Sequence, residues 1–329
     1  MKSLDAKLGL IVKGRYTPKS FILADAKDGD MALGVKANGP IQPGNISGAH
    51  RSRQQHIESM KAIVRQKQMD VMLGSAGNIE LLAENGVFAK SPVTAAIRAN
   101  DTTDIWHPRG ATYATHPSRP FRTANLARVR KFCDLGLYSI TLNNDLDRDY
   151  TTIETYARFR EEAAKLRFRH FLEVFNPNAA QGLSPEQTAD FVNDSILRIL
   201  AGVTKAERPI FLKMVFNGRR ATEDLAGSDS SLVIGVLGGS AGTTRDTFEL
   251  LTQSEKSGAR VALFGRKINL AESPLDLVAL FRPVLEGAIT PENAVKQYHA
   301  TLSKSGLDPV RRLEDDLRIT ERNLEGFGK

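Results

Sequence analysis

The run "PIFLKMVF", Pro209 to Phe216, sets one lysine among seven apolar residues. A strand buried on both faces reads as a continuous apolar run, and an unpaired ammonium inside such a strand is costly. Three explanations fit Lys213: an ion pair with a buried carboxylate, a strand end that reaches solvent, or a desolvated amine kept nucleophilic for chemistry. Other polar residues at or near apolar β-rich runs are Asp25, Asn143, Glu173, Ser240 and Arg266. Carboxylates such as Asp25 and Glu173 beside an amine are the parts for imine chemistry, in which a lysine attacks a carbonyl and neighbouring acids move protons. The same spacing also fits either carboxylate as a plain ion-pair partner of Lys213.

A second group of residues suits an anion. "VLGGSAG", Val236 to Gly242, follows an apolar run and precedes a helical pattern, so Gly238, Gly239 and Ser240 offer approachable backbone N–H groups ahead of a helix. One apolar run later, "FGRKI" places Gly265 and Arg266 for the other side of the same phosphate. The stretch "GGSAG" also matches G-x-S-x-G, the nucleophile elbow of serine hydrolases. That chemistry needs a downstream acid and then a histidine, and His299, in a helix-like tail, is the only later histidine. Neither a Walker A sequence nor G-x-G-x-x-G is present, so nucleotide binding is not indicated.

These residues need elements to carry them. Eight short apolar runs recur at 21–25, 70–74, 93–98, 137–143, 169–175, 209–216, 231–239 and 259–265, separated by segments with helical spacing. Such alternation argues for parallel βα units, and eight of them predict an α/β fold of the (β/α)8 TIM-barrel class. The barrel is expected over about 20–290 as part of a single domain spanning 1–329, with a C-terminal helical extension over about 291–329. That extension, "TPENAVKQYHATLSKSG" followed by "DPVRRLEDDLRITERNLEG", reads as helices with charged outer faces. Ser184 and Thr244 are expected to start helices, and Gly136 and Gly258 to end them. Two long segments, 26 to about 50 and 99 to about 123, are expected to form rim elements over a pocket, with Trp106, His107, Tyr113 and His116 either touching substrate or packing the loop.

Composition narrows the partners. The chain has 329 residues, 41% of them hydrophobic, and a formal net charge of +7. Its basic residues are scattered, so no nucleic-acid partner is expected. The N-terminal run "LGLIV" is too short for a signal-peptide core, and no run approaches the roughly 20 apolar residues that span a bilayer, so no membrane partner is expected. One cysteine, Cys133, rules out an intramolecular disulfide and suits a reducing cytoplasm. No metal is expected: the histidines do not cluster, and the acidic groups at 28–30 and 145–149 read as solvated loop.

With these motifs assembled, the chain resembles the class I, Schiff-base aldolases of the archaeal-type fructose-bisphosphate aldolase group, with its relatives acting on tagatose bisphosphate and other phosphorylated ketoses. The likeness is most specific over about 205–297, where "RPIFLKM" resembles the Schiff-base strand and "VLGGSAGTTRDTFELLTQSEKSGARVALFGRKI" the paired phosphate loops; "DVMLGSAGNIELL" is similar to the second strand and turn. The resemblance implies a metal-independent aldehyde-lyase with no cofactor: Lys213 forms the imine, Asp25 and Glu173 assist proton transfer, and Gly238, Gly239, Ser240, Gly265 and Arg266 hold the phosphate. The expected partner is a phosphorylated small-molecule substrate, and a homo-oligomer is expected. Two departures bear on the substrate. Tagatose-type relatives carry a lysine on strand four where this chain has Thr141, with Asn143 nearby as a substrate contact, and "LADAKDGDMALG" departs from the usual wording after the first-strand aspartate. A phosphosugar-binding protein without cleavage activity, or an isomerase or transferase that reuses the imine, are the alternatives on the same barrel.

Overall fold

Alternation along each strand explains how the barrel closes. The computed structural model describes residues 1–238 and 242–325. Its strands are β1 (Ile22–Lys27), β2 (Val71–Gly74), β3 (Thr94–Arg98), β4 (Asp101–Thr102), β5 (Pro120–Phe121), β6 (Leu135–Thr141), β7 (Arg169–Phe175), β8 (Leu212–Met214), β9 (Gly235–Leu237) and β10 (Val261–Phe264). All but β4 and β5 form one closed parallel barrel in the order β1-β2-β3-β6-β7-β8-β9-β10, with β10 returning to β1. The eight runs legible in the sequence are the eight barrel strands, and the fold is a (β/α)8 TIM barrel.

Successive side chains of a strand point to opposite faces, so each strand divides its residues between two cores. Ile22 and Ala24, Val71 and Leu73, Ala96, Leu135 and Leu137, Phe171, Phe211, Val233, Val261 and Leu263 pack together inside the barrel. Leu23, Met72, Ile97, Tyr138, Leu172, Leu212, Val236 and Phe264 face the surrounding helices instead. Where β9 passes β8 there is no room for a side chain: a Cβ on Gly235 would lie 2.3 Å from the Leu212 carbonyl oxygen.

The N-terminal apolar run is a helix, Ser3–Val12, and its Leu4 is wholly buried in the interior cluster, closing the barrel floor. Lys2 pins it there, donating to the carbonyls of Phe88, Ser91 and Val93. Helix Pro185–Ala201 starts at Ser184 through a capping box, as expected. Helix Thr244–Lys256 is capped one residue earlier than expected, by Thr243. Gly258 ends that helix with φ +102°. Gly136 is not a helix end: it lies inside β6, where a Cβ would meet Phe168 at 2.6 Å.

Among the described residues, no helix is long and apolar enough to cross a membrane. Beyond the barrel, helix Pro291–Lys304 packs on helix Thr244–Lys256. Among the described residues after it, 305–325, the chain is mostly irregular, with the short helices Leu313–Asp316 and Arg322–Leu324 rather than one long exposed helix. Its polar side chains are spent on docking. Asp316 accepts from the Thr244 N–H at 2.7 Å and pairs with His299 at 2.9 Å, while Thr320 and Glu321 donate to Asp246.

Candidate active site

The interior face that buries Phe171 and Phe211 low in the barrel presents Glu173 and Lys213 two residues later, near the strand C-termini. By the same alternation β3 presents Arg98 after Ala96, β6 presents Ser139 after Leu137, and β1 leads through Ala24 and Ala26 to Asp28. These five side chains meet. Lys213 Nζ pairs with Glu173 Oε1. The other carboxylate oxygen, Oε2, accepts from Ser139 Oγ at 2.6 Å and from Arg98 Nη2 at 3.2 Å. Arg98 also donates through Nε to Asp28 at 2.5 Å and through Nη1 to Ser139 at 2.9 Å and Asp101 at 3.3 Å.

Arg98 is thus a buried fork serving three carboxylates, a geometry that lysine cannot reproduce. Burial alone would lower its pKa, but Asp28, Glu173 and Asp101 outweigh burial and raise it. Burial would likewise raise the Asp28 carboxyl, yet Arg98 and then Lys213 hold it below the usual range. Asp101 is pushed up to about 6 by burial, only partly offset by Arg98. An ionised acid therefore stands in the field of the lysine, with a second acid bonded to it directly.

Asp25 is not that acid. It shares the outward parity of Leu23 and sits between the barrel wall and the helices, where it pairs with Lys27 at 3.4 Å, both side chains fully buried. Burial pushes Asp25 up to about 6 and Lys27 down. The stretch "DAKDGD" holds three carboxylates, Asp25, Asp28 and Asp30, and period-two counting from the apolar residues of β1 selects Asp28 for the interior. Arg98 was missed because it ends an unremarkable apolar run, although an arginine at the buried end of a strand is the same kind of signal as Lys213.

Lys213, Glu173, Arg98 and Asp28 line a cavity of about 340 Å³ together with Gly238, Gly265 and Arg266. Three of the expected phosphate residues, Gly238, Gly265 and Arg266, therefore share one space with the lysine. Of the others, Gly239 and Ser240 lie outside the described residues. Both described glycines are tightly approached: a Cβ on Gly265 would lie 2.8 Å from the Ala26 carbonyl oxygen, and one on Gly238 2.5 Å from the Phe264 ring. Lys267, next to Arg266, ties the two loops together by donating to Gly242 O at 3.1 Å and Thr244 Oγ1 at 3.2 Å.

Asn143 is placed elsewhere. Its amide bonds Asn178 at 3.1 Å and the Ala179 N–H at 2.8 Å, so it organises the loops after β6 and β7 and does not line the cavity. Thr141 is likewise committed, donating to Asp104 at 2.9 Å. The two long segments do form the rim: Ala32, Leu33, Lys36 and Ala37 come from one, Ile105 and His107 from the other. They are joined by the His107 N–H donating to Ala32 O at 2.8 Å. Trp106 stacks on Tyr113 and packs on Phe121, and the His116 carbonyl accepts from Asn178, so only His107 of the four rim residues singled out in the sequence faces the cavity. Among the described residues no three His, Cys, Asp or Glu side chains are grouped to hold a metal ion.

Fold and interior together define a class: a (β/α)8 barrel that presents a lysine from its sixth barrel strand to a cavity at the strand C-termini. Solved structures of Schiff-base-forming fructose-1,6-bisphosphate aldolase share the barrel fold. One matches at TM-score 0.62 and 13% identity, covering 86% of this chain and 99% of the other. An archaeal fructose-1,6-bisphosphate aldolase with its catalytic lysine bound to the carbinolamine intermediate matches at TM-score 0.61 and 14% identity, over 86% and 100% of the two chains. A Corynebacterium glutamicum protein matches at TM-score 0.60 and 18% identity, over 87% and 94%. At these identities the likeness is one of fold. No protein-family model matches the sequence, and no curated protein matches it.

Proposed function

We propose that the chain is a class I aldolase-like lyase in which Lys213 forms an imine with a phosphorylated ketose and the iminium draws electrons from the breaking carbon–carbon bond. The observation that carries this reading is the shared cavity, with the amine of Lys213 on one wall and Gly238, Gly265 and Arg266 on another. Binding energy from a remote phosphate is suited to orienting a reacting carbonyl. Glu173, on Lys213, takes the proton that the ammonium must lose before attack and returns it as the carbinolamine sheds water. Asp28, held ionised by Arg98, balances the positive iminium; Asp25 has no part in the reaction. The comparisons add support, since the neighbouring folds include aldolases that form Schiff bases.

The test is borohydride trapping with dihydroxyacetone phosphate and a panel of phosphorylated ketoses, followed by peptide mass spectrometry. A ligand-sized adduct on Lys213 is the expected result, and its absence with every ketose sinks the imine. Replacing Arg266 by methionine should weaken binding of phosphorylated ligands by about 10- to 100-fold, the scale of a lost charge-assisted contact, while unphosphorylated analogues bind as before. Equal losses for both would move the phosphate elsewhere. A second reading, a phosphosugar-binding barrel without imine chemistry, is favoured by the closed Lys213–Glu173 pair, which a purely structural lysine would also make. Phosphate binding without trapping would select it.

A further inference from the structure

A phosphate monoester carries close to two negative charges at neutral pH, roughly −1.5 to −2. At the Gly238–Gly265 end of the cavity Arg266 supplies one positive charge, and Lys267 beside it is turned away to Gly242 and Thr244. A second cation reaches this cavity from the rim. Lys36 lies on the turn Gly34–Asn38, lines the cavity, and among the described residues no hydrogen bond or ion pair engages its ammonium.

The turn that carries Lys36 is held to the helix that begins with Arg266. Asn269 donates from Nδ2 to the Ala37 carbonyl at 2.9 Å, and Arg51 donates to the carbonyls of Pro40 at 3.1 Å and Asn269 at 3.3 Å. Gly39 closes the contact with φ +83°, and a Cβ there would lie 3.0 Å from the Asn269 amide nitrogen. Ala37, held by Asn269, directly follows Lys36, so the lysine's backbone cannot move far from the helix of Arg266. A cation left without a carboxylate, on a segment braced against the anion end, is placed for a ligand's charge.

We propose that Lys36 completes the anion site from the rim, pairing with the phosphate dianion opposite Arg266, and that Asn269 is the positioning residue that holds it there. This rests on the Gly238–Gly265–Arg266 end being the phosphate end, as proposed above. The segment that carries Lys36 also meets the second rim segment, where the His107 N–H donates to Ala32 O.

The experiment is calorimetric titration of the full chain at low salt with inorganic phosphate and with dihydroxyacetone phosphate. Replacing Lys36 by methionine should weaken both by about 10- to 100-fold, Lys36→Arg should recover most of the loss, and Asn269→Ala should weaken both with Lys36 intact. Lys36 is exposed, so its variants test binding without disturbing the core. Methionine at 36 binding phosphate like the parent chain, or arginine there binding as weakly as methionine, overturns the assignment. Arg266→Met separates the two proposals. If it weakens phosphate and Lys36→Met does not, Lys36 alone is wrong; if neither does, the phosphate end itself is misplaced.

Discussion

If Lys213 is the nucleophile of the proposed lyase, replacing it by methionine is expected to abolish borohydride-trapped adducts and to lower the proposed carbon–carbon cleavage by about 10⁴-fold or more, the scale seen when a covalent nucleophile is removed. Methionine is close to lysine in length and carries no amine, so it keeps the packing of β8 between β7 and β9. Glu173 loses one partner but keeps two, Ser139 Oγ and Arg98 Nη2, so the carboxylate is not left alone in the interior. The variant should therefore unfold within a few kcal/mol of the parent, on the scale of one lost charged hydrogen bond, about 1.5 to 3 kcal/mol. Loss of trapping with retained stability identifies the nucleophile. An adduct that persists in the variant assigns the imine to another lysine, and a large stability loss with no trapping in either chain returns Lys213 to a structural role.

The order of the barrel was legible because eight apolar runs with β-rich composition stand between helical patterns, and parallel strands buried on both faces have no other way to read. Lys213 and Glu173 were legible for the same reason, as charges inside such runs. Asp25 misled because its position after "FILA" suggested a strand end, whereas β1 continues to Lys27 and alternation turns Asp25 toward the helices. Counting from Ile22 and Ala24 would have chosen Asp28. Arg98 and Asn143 show two other limits. Four acceptors gather around Arg98, at the end of β3, from the end of β1, from β4, β6 and β7 only after the barrel closes, and Asn143 is claimed by the 176–181 loop, whose path no periodicity announces. The last stretch, 307–325, failed as a helix because Asp316 and Thr320 are consumed in docking on the start of helix Thr244–Lys256. Such tertiary contacts are invisible to spacing.

Arg98→Met should give the largest stability loss of any change in the cavity wall. Removing one partner from a buried ionic group costs about 3 to 5 kcal/mol because the remaining charge is uncompensated. Here Asp28, Asp101 and Glu173 all lose a cation at once. The sign of the pH dependence follows. Arg98, through its charge and its hydrogen bond, is the main group that holds the Asp28 carboxyl low against burial, ahead of Lys213, so in the variant burial is expected to outweigh Lys213 alone and to raise the folded pKa above the unfolded value. A carboxyl with a raised folded pKa binds more protons folded than unfolded, so stability falls as pH rises between the two values. The stability deficit of the variant should thus be smaller near pH 5 than near pH 8, measured by urea unfolding at each pH. Arg98→Lys should rescue little, since one ammonium cannot meet Asp28, Ser139, Asp101 and Glu173 from a single position. A deficit that does not change with pH, or full rescue by lysine, would mean that the wall is held by packing and that Glu173 reaches Lys213 without the guanidinium's help.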